Sequence, residues 1–452
     1  MGLNFMDIRS GPMSVRQLTT AGQNHLLTNT GVWSKDGEWI FYDVRSDAAG
    51  SQFDSARIER VHVKSEITET VYQSQHGAFV GVVSCSPVED RVVFIHGPEF
   101  PTADWSYAAW HRRGVLLDLA KVGCVTNLDG RDLVPPFTQG ALRGGTHLHA
   151  FSGDGQWVSF TYEDHLLATA NDRKSEPNRR NVGVTILGMP VSVPGRHERN
   201  HSGSGFSVLV SKTVASPDPG SDQIGRAYSD AWIGRDGYVR HDGVRQSKAI
   251  AMLGDVCSEN GNPVAELFVL DIPDSLVSLA EQTPMAGAGE MPFTPQGIAQ
   301  RRLTFTTNRP FPGLGPVRHW PRSNPEGGQI AFLMRDDQGI AQLWLIAPTG
   351  AGLRQLTHNP FPVQSAFSFR SDGRAIACIA GGSLCEVDVQ SGQTTRLTKV
   401  AEGKTALRGE AVVYSPDGKQ IAFVQPVSDP MHGGNEGPFF NQIFLSPSVF
   451  AG

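Results

Sequence analysis

Short stretches of alternating apolar and polar residues recur along the chain, and a tight turn precedes each of them. Near the C-terminus the pattern occupies 324–332, 370–378 and 415–423, and the turn glycines are 46 and then 45 residues apart. An Asp-Gly turn suits such a unit because glycine accepts positive φ, and the alternation after it predicts a half-buried strand. A repeat of this length, with one turn and several strands, is typical of β-propeller blades.

The same unit recurs in the first half of the chain, at 33–41 and 151–160, with a weaker copy at 85–94. A strand-turn-strand pattern at 249–255 and 266–271 lies between the earlier and the later copies. When this pattern is counted as the seventh unit, the sequence predicts an all-β fold, a seven-bladed β-propeller.

A second motif, Arg-x-Leu-Thr, marks the outermost strand of a blade. Complete copies stand at 354–357 and 16–19, with related copies at 302–304 and 395–398. The N-terminal copy has no blade before it, whereas the last blade ends at 441–445 with no copy after it. The sequence therefore predicts that the N-terminal strand completes the final blade, a closure that removes exposed sheet edges.

Residues 1–452 are interpreted as a single β-propeller domain that carries insertions. Three polar or Gly/Pro-rich segments, near 171–205, 213–247 and 272–297, interrupt the repeats and are predicted as loops or insertions between strands. Because loops carry function more often than strands do, these segments are candidates for one functional face of the propeller.

The composition of the chain excludes some classes of partner and indicates the cellular compartment. The net charge is -6 with mixed signs, so no basic stripe is available for nucleic acid, and no apolar run approaches the roughly 18 residues of a membrane span. The N-terminus shows no secretory signal, and the five scattered cysteines contain no C-x-x-C pair. We therefore expect a cytoplasmic protein whose partners are neither nucleic acid nor membrane.

Candidate site residues follow from propeller geometry, since the residues just before each innermost strand converge on the central channel. Imidazoles there can act as bases or, with an amide carbonyl, hold a borderline divalent ion. His147 and His149 face one side of a predicted strand, and Arg143 could hold a carboxylate. A second interpretation stays open, in which the histidines bind backbone carbonyls and line a water-filled channel. The candidates are Asn24, His25, His76, Arg143, Thr146, His147, His149, His319 and Gln364.

The repeat Ser415-Pro416-Asp417-Gly418 followed by 421–423 resembles the short propeller repeat of TolB-like proteins. Over nearly the whole chain the sequence resembles the uncharacterised bacterial YidR family. The stretches that carry this resemblance are 24–30, 94–99, 111–115, 142–147, 301–306 and 331–337.

The chain is more distantly similar to the oligogalacturonate lyases. These propellers bind manganese through three His and one Gln, and they use a further His as base with an Arg beside the substrate. Thr146-His147 followed by Asp154-Gly155 resembles the segment of the base, His319 resembles one metal ligand, and Gln364 corresponds to the glutamine. The two histidines expected just after the glutamine are absent, since the sequence continues Ser365-Ala366-Phe367.

Two functional hypotheses result. In the first, the protein is an enzyme that acts on a small acidic, uronate-type oligosaccharide as a metal-assisted lyase. His147 and Arg143 would be catalytic, and a divalent metal, manganese above all, would lie near His319, Gln364 and His149. The predicted substrate-binding residues are Asn24, His25, His76 and Thr146. In the second, the protein is a non-catalytic TolB-like propeller that binds a protein or peptide partner.

Overall fold

A computed structural model describes residues 14–28, 31–121, 124–172, 174–429 and 437–450. These residues form seven four-stranded antiparallel sheets and two small two-stranded sheets. The seven-bladed β-propeller predicted from the repeats is therefore confirmed. Among the described residues, the helices are too short or too polar to span a bilayer.

The first half of the chain contains the N-terminal strand and three blades. The strands of blade 1 are β2 to β5, those of blade 2 are β6 to β9, and those of blade 3 are β12 to β15. In chain order the elements are β1 (Arg16–Gln17), β2 (Asn24–Leu26), β3 (Trp39–Arg45), β4 (Arg57–His62), β5 (Thr68–Gln73), β6 (Val80–Cys85), β7 (Arg91–His96), β8 (Arg113–Asp118), β9 (Val125–Asn127), β10 (Gly130–Arg131), β11 (Ala141–Leu142), β12 (Gly144–Phe151), β13 (Trp157–Asp164), α1 (His165–Thr169), β14 (Asn181–Val191) and β15 (Gly203–Leu209).

The second half contains blades 4 to 7. Blade 4 is formed by β16, β19, β20 and β21, blade 5 by β22 to β25, blade 6 by β26 to β29, and blade 7 by β30, β31, β32 and β1. The elements are β16 (Ile224–Trp232), β17 (Tyr238–Val239), β18 (Arg245–Gln246), β19 (Lys248–Cys257), β20 (Pro263–Ile272), α2 (Leu276–Glu281), β21 (Ala299–Arg302), β22 (Arg322–Ser323), β23 (Ile330–Arg335), β24 (Ala341–Ile346), β25 (Arg354–Gln355), β26 (Ser368–Phe369), β27 (Ala375–Ala380), β28 (Ser383–Asp388), β29 (Thr394–Arg396), a short 3-10 helix (Gly403–Thr405), β30 (Val412–Tyr414), β31 (Gln420–Ser428) and β32 (Phe439–Pro447).

The ring is closed by the N-terminal strand, as the second motif predicts. Strand β1 pairs antiparallel with β32, with Arg16 opposite Leu445 and Gln17 opposite Phe444. Leu18 follows this strand into an apolar cluster shared by blades 7 and 1. Closure therefore rests on backbone pairing and on apolar burial together, and it pairs the outer edge of the last blade.

The apolar core lies between the sheets. A cluster of buried side chains fills the space between each pair of neighbouring blades, and the cluster between blades 7 and 1 completes the ring. The alternation of each repeat explains this arrangement, because successive side chains point to opposite faces of a sheet and both faces are covered by a neighbour.

The Asp-Gly turns form as predicted. In blade 3, Asp154 accepts hydrogen bonds from Ser152 Oγ at 2.6 Å and from the Gln156 amide at 3.1 Å. Gly155 adopts φ of 69°, a left-handed conformation that side chains rarely adopt. Each such turn joins the first and second strands of a blade, so the turns lie on the face opposite to the one where innermost strands begin.

The segments expected as insertions include strands of blades. Strand β14 lies within 171–205, and β16, the innermost strand of blade 4, lies within 213–247. Segment 272–297 contains α2 and otherwise mostly irregular backbone. The structure thus corrects the boundaries of the first two segments, whose polar and glycine-rich flanks obscured the strands.

Three neighbouring innermost strands share one irregularity. Strands β6, β12 and β16 each shift register at a β-bulge, and each bulge contains a non-glycine residue with positive φ. These residues are Val82, Leu148 and Ser229, with φ of 59°, 58° and 55°. Bulges bend a strand and redirect its side chains, and two of these three residues, Leu148 and Ser229, line a cavity between blades 3 and 4.

Candidate functional site

A cavity of about 610 Å³ opens between the innermost strands of blades 3 and 4 and the segment that leads into blade 5. Its volume falls in the range of pockets that hold small molecules, about 300–1,000 Å³. The lining combines four arginines and two histidines with apolar and hydroxyl side chains, and none of the described residues that line it carries a carboxylate. They are Arg112, His147, Leu148, Thr161, Arg180, Arg226, Tyr228, Ser229, Leu253, Leu314, Gly315, Pro316, Val317, Arg318, His319 and Trp320.

The bulges place two polar side chains in equivalent positions on adjacent blades. His147 immediately precedes the bulge residue of β12 and pairs with Thr161 on β13. Tyr228 immediately precedes the bulge residue of β16 and pairs with Leu253 on β19. All four residues line the cavity. The phenol of Tyr228 donates a hydrogen bond to Asp255 at 2.8 Å.

Three of the four cavity arginines form no direct ion pair within the described part of the chain, although Asp255 and Glu410 lie close enough to interact with Arg226 and Arg318. Arg180 forms an ion pair with Glu163. Arg112 donates from Nε to the Ala109 carbonyl at 3.3 Å, and it forms no ion pair. Arg226 lies over the ring of Tyr228 at 4.9 Å, and Arg318 lies over Trp320 at 5.0 Å. The cavity is therefore a concentrated positive site, and guanidinium groups are well suited to carboxylates and phosphates.

Sequence reasoning missed these arginines as a set. They come from the loop before β8, from the residue before β14, from β16 and from the segment before β22. Only Arg318 stands at a position that the convergence rule singles out, directly before the innermost strand of blade 5. Nothing in the sequence signals that Arg112, Arg180 and Arg226 would join it.

His147 is the predicted catalytic residue that reaches the cavity. Its ring is partly exposed, and Nδ1 is buried without a hydrogen-bond partner in the described residues. Burial, together with Arg112, Arg180 and Arg318, lowers the pKa of His147 well below its ordinary value. The imidazole is therefore neutral near pH 7, which leaves a ring nitrogen able to accept a proton.

His319 lines the same cavity, but both of its ring nitrogens are occupied by the backbone. Nδ1 donates to the Val317 carbonyl at 2.9 Å, and Nε2 accepts from the Leu333 amide at 3.1 Å. Burial lowers the pKa of His319 to about 4. This ring fixes the segment before β22 against β23, and it has no lone pair left for a metal ion.

Arg143 is not among the cavity residues, because a buried ion pair holds it elsewhere. Its Nε and Nη2 donate to Asp164 at 3.0 and 2.8 Å, and both side chains are almost completely buried. Its remaining donors reach the carbonyls of Gly287 at 2.7 Å and Glu290 at 2.5 Å. This arrangement ties blade 3 to segment 272–297, and it does not fit the predicted role beside a substrate.

Thr146 and His149 interact with each other inside blade 3, and neither is among the cavity residues. Thr146 Oγ1 donates to Asp129 at 3.2 Å and bonds His149 Nε2 at 3.0 Å. His149 Nε2 therefore carries the proton, and the buried Nδ1 has no partner in the described residues. Burial and Arg112 lower the pKa of His149 to about 3.

The remaining predicted residues lie apart from the cavity. Asn24 accepts from the Asn441 amide at 3.0 Å across the junction of blades 1 and 7, and His25 Nδ1 bonds Thr19 Oγ1 at 2.8 Å. Gln364 is exposed and accepts from the Gly382 amide at 2.8 Å. His76 is exposed on the surface. These residues contact backbone or side-chain groups of the protein outside the cavity.

The donor set expected for a metal ion does not assemble. Within the described ranges, no group of three or more His, Cys, Asp or Glu side chains is arranged to hold a metal. Of the three predicted ligands, only His319 reaches the cavity, and its lone pair is engaged. The residues present do not fit a manganese site built from His319, Gln364 and His149.

Comparison with known proteins places the chain in a family. Residues 79–201, which include Arg112, His147, Thr161 and Arg180 of the cavity, match a family described as a protein of unknown function (DUF3748). The chain is 43% identical over 416 residues to the uncharacterized protein YidR of Escherichia coli (strain K12), an alignment that covers 91% of this chain and 95% of that protein. The chain belongs to the YidR family. The resemblance drawn from the sequence is thereby confirmed.

Solved structures similar to this YidR-family protein share its fold. An oligogalacturonate lyase in complex with manganese matches with a TM-score of 0.55 and 12% identity, covering 96% of each chain. A puromycin hydrolase, as an S511A mutant complexed with PGG, matches with a TM-score of 0.52 and 12% identity, covering 90% of this chain and 51% of the other. At such low identity these likenesses establish the propeller fold of the YidR family alone.

Proposed function

We propose that this protein binds a small acidic, uronate-type oligosaccharide in the arginine-lined cavity and cleaves it by β-elimination. The observation that carries the proposal is the convergence on one cavity of three arginines without a direct ion pair in the described residues and a neutral histidine. A carboxylate-bearing ligand would supply direct ion pairs that these three arginines do not form with the described residues. At an effective dielectric of 20, one such pair at 4 Å is attractive by about 4 kcal/mol before desolvation.

The reaction needs a group that removes the proton α to the carboxylate and a group that neutralises this carboxylate. His147 is assigned the first role, because its neutral ring borders the cavity. Arg112, Arg226 and Arg318 take the second role in place of Arg143, and they would stabilise the negative charge that develops as the proton leaves. The C–H bond breaks as its proton passes to His147, the C=C bond forms, and the C–O bond to the next sugar breaks. The leaving oxygen takes a proton from water, and His147 returns its proton to the hydroxide that results.

The solved lyase of similar fold is described in complex with manganese. In this chain the residues predicted to correspond to its ligands do not provide a donor set, as the contacts of His319 and Gln364 demonstrate. The proposal therefore assigns charge neutralisation to the arginines and routes no step through a metal ion.

The test uses purified full-length protein with uronate oligosaccharides and with neutral oligosaccharides of matched length. Binding is measured by calorimetry, and elimination is measured by the ultraviolet absorbance of the unsaturated product. Arg226→Gln and Arg318→Gln remove one cavity charge each, and both side chains are exposed and form no hydrogen bond in the described structure. Arg374→Gln makes the same charge change in the exposed turn between β26 and β27 and serves as the control.

We expect each cavity variant to bind the uronate about 10- to 100-fold more weakly, since a hydrogen bond to a charged group contributes roughly 1.5–3 kcal/mol. The control variant should bind like the wild type, and His147→Gln should bind the ligand but form no product. Binding without turnover in the wild type would support the alternative, a non-catalytic propeller that binds an acidic protein or peptide partner. Equal affinity for acidic and neutral ligands would refute the assignment of the cavity.

A further inference from the structure

A group of aromatic side chains, three exposed and one half-buried, lies beside the cavity on the face where the innermost strands begin. We call it the aromatic platform, and its members are His76, Phe79, Phe100 and Tyr107. Phe100 is 63% exposed and Phe79 is 37% exposed, both high values for phenylalanine. The members come from two loops, the one before β6 and the one between β7 and β8. Grouped exposed aromatic side chains are a feature of binding surfaces, which makes this group a candidate.

The rings of the platform are fixed against one another and against the backbone. His76 stacks on Phe100 with ring centroids 4.1 Å apart, and Phe79 meets Tyr107 edge-on at 6.4 Å. The Phe100 amide donates to the His76 carbonyl at 2.8 Å, and the Gly97 amide donates to the Phe79 carbonyl at 2.7 Å. The platform is therefore preorganised, so that a ligand would not have to order it.

Backbone strain marks the same place. His76 and Phe100 adopt φ of 53° and 48°, in the left-handed region that non-glycine residues seldom occupy. Such residues are concentrated at ligand sites, because the surrounding structure must compensate the strain. Here the strained backbone holds a large apolar ring in solvent, an arrangement that stability alone does not explain.

The platform is continuous with the arginine-lined cavity. Arg112 lines the cavity, and its guanidinium carbon lies 5.9 Å from the centroid of the Tyr107 ring. Tyr107 also stacks on Phe53 at 4.5 Å with an angle of 11° between the rings. Glu99, the neighbour of Phe100, is 3.6 Å from Arg113, so its charge is compensated. An acidic ligand held at Arg112 would therefore extend toward the aromatic rings, where Arg113 offsets the charge of Glu99.

We propose that the aromatic platform binds the sugar rings that extend beyond the acidic unit held in the cavity. The platform makes the protein selective for oligosaccharides over monosaccharides, because the apolar face of a sugar ring packs on an aromatic side chain. This inference rests on the proposed function of the cavity, and it adds the length of the ligand. It also gives His76 a contact role, at a site on the surface and not in the central channel.

The experiment measures the affinity of full-length protein for galacturonate and for its di-, tri- and tetrasaccharides by calorimetry. Phe100→Ala and Phe79→Ala remove one platform ring each. Phe305→Ala is the matched control, because Phe305 is 67% exposed and outside the platform. Thermal unfolding of each variant checks that truncation of these exposed rings leaves the fold intact.

We expect the wild type to gain affinity as the ligand lengthens, and each platform variant to lose roughly tenfold for the longer ligands alone. The monosaccharide should bind all variants equally, and Phe305→Ala should bind every ligand like the wild type. If monosaccharide and oligosaccharides bind the wild type with the same affinity, the platform assignment is wrong while the cavity assignment stands. If no uronate binds, both assignments are wrong.

Discussion

Replacement of Arg143 by methionine separates a structural role for this arginine from the substrate-binding role predicted by sequence. The substitution keeps an unbranched side chain of similar length and removes the positive charge. It deletes the two hydrogen bonds to Asp164 and those to the carbonyls of Gly287 and Glu290. Asp164 would keep only the donors of Tyr162 at 2.9 Å and the Leu167 amide at 3.1 Å, and its carboxylate is fully buried.

The expected loss of stability is large. Breaking a buried ion pair by removing one partner costs about 3–5 kcal/mol, because the remaining charge is left without its counter-charge. Domains are stable by only about 5–15 kcal/mol, so the variant would lose a substantial share of its free energy of unfolding. With an m-value of about 3 kcal/mol per M of urea, the unfolding midpoint would fall by about 1–1.7 M.

Urea unfolding followed by tryptophan fluorescence measures this change, with Arg374→Met as the control for the loss of a positive charge. We expect the control to unfold like the wild type, and folded Arg143→Met to retain affinity for the acidic ligand. The reasoning would be refuted by an Arg143→Met protein that unfolds at the wild-type urea concentration and no longer binds the ligand. Arg143 would then be a substrate-binding residue.

Three further predictions concern stability. Leu18→Ala should lower the free energy of unfolding by about 2–5 kcal/mol in chemical denaturation, because Leu18 is buried where blades 7 and 1 meet. Gly145→Ala should lower the thermal unfolding temperature, because its Cβ would lie 2.2 Å from the Ala109 carbonyl oxygen. The comparison variant Gly243→Ala should lower it less, because its Cβ meets no neighbour and only the strain of a positive φ remains. Burial raises the pKa of Asp230 to about 6, so folding opposes its ionisation and the penalty disappears as pH falls through 6 toward 3.8. Asp230→Asn should therefore stabilise the protein by up to about 3 kcal/mol above pH 6 and have no effect below pH 3.8, as measured by unfolding across pH; a gain that does not vary with pH would contradict this.

The fold was accessible from sequence because its signals are local. The turn at 415–418 and the Arg-x-Leu-Thr copy at 16–19 are each a few residues long, and their repetition specifies blades and closure. Strand β14 was not predicted from the sequence, because segment 171–205 combines apolar strand residues with charged and glycine-rich flanks. The residues that flank a strand in sequence do not show which sheet packs against that strand in the fold.

The site was less accessible because it depends on pairing between distant residues. His147 was found from its position in a strand and reaches the cavity, whereas Arg143, four residues earlier, is neutralised by Asp164, 21 residues later. His319 was predicted as a metal ligand, but both of its ring nitrogens form hydrogen bonds with the backbone, one of them with the Leu333 amide. A sequence shows which side chains could bind a ligand, and only the fold shows which of them already have partners.

The pairing of β1 with β32 has a consequence for synthesis on the ribosome. Arg16 leaves the ribosome early, and its partner Leu445 is made more than 400 residues later. At roughly 5–20 residues per second, this interval lasts on the order of tens of seconds. Throughout that time the first blade has no neighbour on one side, and its apolar face is available to chaperones. We therefore expect the ring to resist unfolding once its two ends have paired.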